Sequence, residues 1–228
     1  MTAVYFMSEK KTKFKVAGLP EAQGLYNPIN EHDACGVGLV LDIKNRPSFD
    51  IVEKGLAMLC NLEHRGAVGA DPKAGDGSGL LIQIPHKFLA KKVKKNFSLP
   101  NPGNYAVGVV FIPDDKNDEK KIIKLIENVC ARERVKILGW RLCPTYKKEL
   151  GWSVLPSTPI VYQLFLERPD SQETQDDFER KLYILRRCIE KAILEISDEI
   201  KEGFYIPSFS SRTILYKGMV LADQVGGL

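Results

Sequence analysis

The run Cys35-Gly36-Val37-Gly38-Leu39-Val40-Leu41 is β-like in its residue types and predicts a strand over 35–43. The spacing then turns helical, with Ile51, Leu56, Leu59 and Leu62 predicting a helix over 49–64. Residues 65–79 carry Gly66, Gly69, Gly75, Gly77 and Gly79, the composition of a loop that needs unusual φ angles or close backbone approach. A strand over 80–84 follows and Pro85 stops it. From there the pattern predicts strand 105–112, helix 116–133, strands 135–143 and 159–167, helix 174–197 and strand 204–209, a βαββαβ order. Phe178, Leu182, Leu185, Ile189, Ala192 and Ile196 recur at three- and four-residue spacing, the stripe of a helix that covers a sheet. Thr213 to Tyr216 predicts a further strand.

With 44% apolar and 27% charged residues among 228, the chain has the composition of a globular protein, sized for one large domain or one domain with an insert. Its longest apolar run, Ala106 to Ile112, falls far short of the roughly 20 residues of a membrane span. A net charge of +4 raises the question of nucleic acid. The densest cations, Lys91, Lys92, Lys94 and Lys95, follow Phe88 and Leu89 at a helix end, where the macrodipole favours them, so a solvated helix end is expected. Neither nucleic acid nor membrane is an expected partner.

Five cysteines, an odd number without a Cys-x-x-Cys pair, argue against zinc or a disulfide framework and for a reducing compartment. Cys60, Cys130 and Cys188 sit in helical patterns and read as buried structural thiols; Cys143, ending an apolar run before Pro144, reads the same way. Residues 1–34, with Lys10-Lys11-Thr12-Lys13 among Gly, Pro, Asn and Asp, lack the apolar stretch of a secretory signal and read as a pro-segment. A transit peptide is the rival reading, against which stand Glu9, Glu21, Glu31 and Asp33. The expected location is the cytoplasm, or a plastid if the leader is a transit peptide.

The chemistry centres on Cys35. A thiol near pKa 8.5 is only a few per cent thiolate at neutral pH and needs a base. If the leader is cut after Ala34, the freed α-amine, with pKa roughly 7.7 to 8.0, becomes that base and later the acid toward departing ammonia. Arg65, at the end of the first predicted helix, would favour the thiolate if that helix packs back on the first strand. His64 is the rival base, and for both residues a capping or core role stands beside the catalytic one.

Taken together, Cys35-Gly36-Val37-Gly38, Asn61-Leu62-Glu63-His64-Arg65-Gly66-Ala67, Ala74-Gly75-Asp76-Gly77-Ser78-Gly79, Phe178-Glu179-Arg180-Lys181-Leu182-Tyr183 and Ser210-Ser211-Arg212-Thr213-Ile214 with Tyr216-Lys217-Gly218-Met219 resemble the amino-terminal glutaminase domain of the glutamate synthase large subunit. The resemblance runs from about Asn27 to about Gln224. It implies a class II glutamine amidotransferase with the four-layer αββα fold of amino-terminal nucleophile hydrolases, a removed leader 1–34, Cys35 as nucleophile and Arg65 as the arginine that orients it. Asp76 and Gly77 match a loop with a structural role.

In the complete family polypeptide, ammonia passes to a flavin site and is combined with 2-oxoglutarate. The resemblance thereby implies FMN and an iron-sulfur cluster elsewhere, no cofactor or metal in this segment, and as partners glutamine, the remaining synthase domains and a small electron-donating subunit. The family's arginine motif for the substrate carboxylate and its oxyanion-lining Asn-Gly pair come after the Tyr-Lys-Gly-Met block, beyond Leu228, so the expectation is a carboxy-terminally truncated domain with little activity alone. A non-catalytic remnant or assembly module, or another amino-terminal nucleophile amidohydrolase, are the alternatives.

Overall fold

The computed structural model describes residues 21–24, 26, 27, 35–65, 70–170, 174–196, 200 and 203–227, the side chain of Arg65 excepted. Most of the leader read as a pro-segment, and residues 66–69 of the glycine loop, lie outside the described residues. Residues 1–35 and residues 36–228 form separate compact units. In the first, the backbones of Gln23 and Tyr26 bond to each other at 3.1 and 3.0 Å.

The second unit is built on a four-stranded antiparallel sheet of β2 (Tyr105–Ile112), β3 (Ile137–Leu142), β4 (Ile160–Glu167) and β5 (Tyr205–Ser210), in the order β3-β4-β2-β5. The unbroken apolar run at 105–112 is explained by the central position of β2, buried on both faces. Ala106, Val110 and Ile112 enter one core; Tyr105, Val107 and Val109 enter the other. A side chain at Gly108 would collide with the Phe209 ring of β5, so only glycine allows these strands to pack as they do.

Helices α3 (Lys116–Arg132) and α4 (Gln175–Leu194) cover the first face. Ile122, Ile126, Val129 and Cys130 of α3 meet Phe178, Leu182, Leu185, Ile189 and Ile193 of α4 above Leu164 and Leu166. Each such side chain contributes about 1.5–3 kcal/mol on leaving water. Ile193 closes the inner stripe in place of the expected Ile196, which lies two residues past the end of α4 and is 37% exposed.

Both helices start on polar caps. Asp115 accepts from the backbone N–H groups of Asn117 at 2.8 Å and Asp118 at 3.0 Å. Thr174 and Asp177 form a reciprocal capping box on α4. The amides of Asp118 and Asn117 hold the Asp115 carboxyl below the usual range, and the hydroxyl and amide of Thr174 do the same for Asp177. Their folded values thus lie below the unfolded value of about 3.9, so the stabilisation is complete above that pH and is lost as pH falls through the folded values. Thermal melts will hold level from neutrality to about pH 5 and decline below about pH 4. The Asp115→Asn/Asp177→Asn variant, which caps without titrating, will show a shallower decline; an unchanged acid limb would remove the caps from this account.

The second face is covered by the two-stranded antiparallel sheet of β1 (Ser78–Gln83) and β6 (Thr213–Gly218) and by α2 (His86–Val93). Leu89 and Val93 of α2 and Ile214 of β6 pack with Phe165, whose ring lies 5.3 Å from Phe97 and 6.5 Å from Tyr105. Helix α1 (Phe49–Asn61), capped by Ser48, meets β1 through Gly55, where a Cβ would stand 3.1 Å from Leu80. It ends three residues before the expected boundary and passes into a 3-10 turn over Glu63–Arg65.

The expected strand at 35–43 is not a strand: it has no regular secondary structure, and among the described residues no other segment pairs with it. Its residues keep a two-residue alternation. Side chains at Gly36 and Gly38 would run into Leu62 and Met58, while Val37, Leu39, Leu41 and Ile43 are 87, 80, 60 and 94% exposed. Residue type can favour extended backbone, but a ladder needs a neighbour to exchange hydrogen bonds with, and none is present among the described residues.

Candidate active site

Cys35, the expected nucleophile, is exposed and lies at the last position of the first unit, immediately before the Gly36 to Ile43 segment. Arg65 closes the 3-10 turn after α1; its guanidinium is outside the described residues, so its pairing with Cys35 is taken up as a proposal below. The ring Nδ1–H of His64 donates to the Asn61 carbonyl at 2.9 Å. That bond satisfies a carbonyl at the helix end, which is the capping role weighed for this residue in the sequence.

The other thiols separate by environment. Cys130 is buried among the α3–α4 contacts, and burial, with the Glu127 charge adding to it, pushes its thiol up to about 12. Burial pushes Cys143 up to about 11 against the opposing effect of Arg141. Both stay protonated and unreactive near neutrality. Cys60 corrects the expectation of a buried thiol: it is exposed on α1. One helical step of about 100° from Leu59, which is partly buried, turns position 60 to solvent.

The Asp76-Gly77 loop is braced from several sides. Gly77 takes φ +118°, open to glycine at little cost, and lies close to the Gly218 carbonyl; a Cβ on Gly79 would stand 2.7 Å from Lys217. Just upstream, the nearly fully buried Asp71 accepts from the backbone N–H and the hydroxyl of Ser153, both at 2.7 Å, and from the Lys73 N–H at 3.1 Å. Burial pushes its carboxyl up, but the two Ser153 bonds and the Lys73 amide outweigh that and hold it below the usual range. Gln224 donates to the carbonyls of Glu149 at 2.7 Å and Lys73 at 3.3 Å while accepting from the Leu221 amide at 2.8 Å. Asp71 and Gln224 thus knit the loops around 71–74, 149–153 and 221–224 into one body.

Two further polar clusters escaped the sequence reading. Fully buried Gln163 accepts from Arg141 Nη1 at 2.7 Å and donates to the Tyr216 hydroxyl at 3.0 Å, tying β3, β4 and β6 across the space between the sheets. Its signal was visible: one amide inside the apolar run Ile160 to Leu166. Glu179 of α4 accepts from the Ser211 amide and hydroxyl, both at 2.6 Å, and from the Ser210 hydroxyl at 3.2 Å, fixing the turn by which the chain passes from β5 into β6. Periodicity marks Glu179 only as a polar position and cannot reveal that partner.

For an iron-sulfur cluster the donor set does not fit this chain: among the described residues no three of His, Cys, Asp and Glu converge as metal ligands. For a flavin phosphate the glycine loop is also unsuited, because Gly75 to Gly79 runs into strand β1 and not into a helix N-terminus. No helix among the described residues is long and apolar enough to cross a membrane.

A sequence model for the glutamine amidotransferases of class II matches residues 35–228, opening on Cys35 itself. The chain belongs to the class II glutamine amidotransferases, a family of enzymes. The individual relatives it matches are glutamate synthases. It is 43% identical to the glutamate synthase [NADPH] large chain of Bacillus subtilis over 208 residues, 91% of this chain and 13% of that protein. It is 38% identical to the chloroplastic ferredoxin-dependent glutamate synthase of Oryza sativa subsp. japonica, covering 90% of this chain and 13% of the relative. Against the glutamate synthase [NADH] of Saccharomyces cerevisiae it is again 38% identical, over 91% of this chain and 10% of the relative. The chain therefore spans only a small part of the proteins it resembles, and their names carry three different electron donors.

Proposed function

We propose that this chain releases ammonia from glutamine as the glutaminase portion of a glutamate synthase, with Cys35 as nucleophile. The family match supports this reading most directly, because its first matched residue is the cysteine. Removal of residues 1–34 frees the Cys35 α-amine, which takes the thiol proton as sulfur attacks the side-chain carbonyl carbon of glutamine. Collapse of the tetrahedral adduct breaks the carbon–nitrogen bond, the amine returns its proton to the leaving ammonia, and a γ-glutamyl thioester is left. Water, deprotonated by the same amine, cleaves the thioester to glutamate and restores the thiol. Arg65 orients the nucleophile. In the complete enzyme the ammonia serves reductive amination of 2-oxoglutarate in the cytoplasm, with the remaining synthase domains and an electron-donating subunit as partners.

The same reading implies the four-layer αββα arrangement. Residues 105–209, with their β2-α3-β3-β4-α4-β5 order, are then an insert in that arrangement.

Intact mass and electrophile trapping test the proposal together. Protein whose amino terminus is Cys35 will add one equivalent of a glutamine-like electrophile at Cys35, leaving the also exposed Cys60 unmodified, while protein retaining Met1 will add none. Labelling of Cys60 at the same rate, or of Cys35 with the leader still attached, would rule out a base supplied by the new terminus.

A further inference from the structure

Helices α3 and α4 leave between them a groove of about 500 Å³ on the outer side of the four-stranded sheet. Leu125, Val129 and Ala192 form its apolar floor, and Lys121, Lys124 and Arg132 stand along its length; among the described residues no carboxylate lines it. Lys121 is bonded to Asp118 at 2.9 Å and Arg132 lies 3.6 Å from Glu133, yet both cations are more than 60% exposed. Lys124 has no ion-pair or hydrogen-bond partner among the described residues. The α3 positions 121, 125, 128 and 132 recur at steps of three and four, with 124 and 129 beside them, so the groove follows one helix face for about 16 Å, or three turns.

From this we infer that the α3–α4 groove is a docking surface for an acidic amphipathic helix of a partner protein. Such a helix would lay apolar side chains, repeating every three or four residues, against Leu125, Val129 and Ala192. Its flanking carboxylates would meet the three cations, supplying a negative charge that none of the groove's described lining residues carries. Duplex nucleic acid fits less well, since its phosphates would face an apolar floor, and the whole chain carries a net charge of only +4. A membrane surface fits less well too, because apolar atoms recessed between two helices cannot reach into lipid. The inference stands on the groove alone and does not depend on the glutaminase reading.

The test uses the 228-residue chain and a fluorescent synthetic helix of about 16 residues, with leucines at helical spacing and glutamates between them. Anisotropy titrations are expected to show saturable binding that weakens by about tenfold or more as salt is raised through the physiological range. The Lys124→Glu/Arg132→Glu variant, altered at two exposed positions, will bind at least about tenfold more weakly with unchanged circular dichroism. Ala192→Trp, which fills the floor, will weaken binding without steepening the salt dependence. Equal binding of a scrambled peptide or of a glutamate-to-lysine peptide would overturn the inference. So would tighter association with anionic vesicles or DNA than with the peptide, and so would a dimer in sedimentation that the double charge reversal dissolves, since a second copy would then occupy the groove.

Discussion

Cys35→Ala, introduced into the enzyme that carries the complete amidotransferase region, will lower glutamine-dependent ammonia release by about 10⁴-fold or more, the scale on which enzymes lose rate when a covalent nucleophile is deleted. Cys35→Ser keeps the α-amine and a hydroxyl, but an alcohol is far less acidic than a thiol, so most of the loss will persist. Supplying free ammonia to either variant will restore glutamate formation if the synthase site is intact, which separates a lost nucleophile from a lost fold. The readout is ammonia and glutamate quantified against a Cys60→Ala control, which removes a thiol that is also exposed but stands on α1. A Cys35→Ala enzyme that still hydrolyses glutamine at the parent rate would exclude the thioester route.

Phe165→Ala is the substitution expected to cost the fold most, about 3–5 kcal/mol in urea unfolding. Phe165 is fully buried on β4, and its ring is the common neighbour of Phe97 and Tyr105, so truncation opens a cavity lined by aromatic rings that cannot close over it. The same change at Tyr183 of α4, where the side chain is 66% exposed, will move stability by no more than about 0.5 kcal/mol. A Phe165→Ala chain as stable as its Tyr183→Ala counterpart would mean that the space between the two sheets is not a packed core.

Local pattern was sufficient wherever an element buries a face against a neighbour close in the fold. The strand expected at 105–112 is β2 to the residue, and helices expected at 116–133 and 174–197 appear as Lys116–Arg132 and Gln175–Leu194. Helix ends were displaced because caps, not periodicity, set them: Arg134, with φ +57°, follows the end of α3. The segment 35–43 shows the limit of the method, since its residue types favour a strand while its hydrogen-bonding neighbour is a property of the rest of the fold. The Gly75 to Gly79 run was legible as close backbone approach, and Cys35 as the residue at which the family match opens. Asp71 was not, because nothing near Pro72 in sequence announces that its carboxylate is reserved for Ser153.

That carboxylate joins positions 82 apart in the chain, and Gln224 reaches Lys73 across 151. Closing such long loops costs chain entropy that no local contact repays, so both bonds can form only after the strands between them have paired. Hydrogen exchange at the Ser153 amide is accordingly a late clock for folding: it will slow only in molecules whose sheets are already assembled, and it will stay fast in any collapsed form that has its helices but not its strand order.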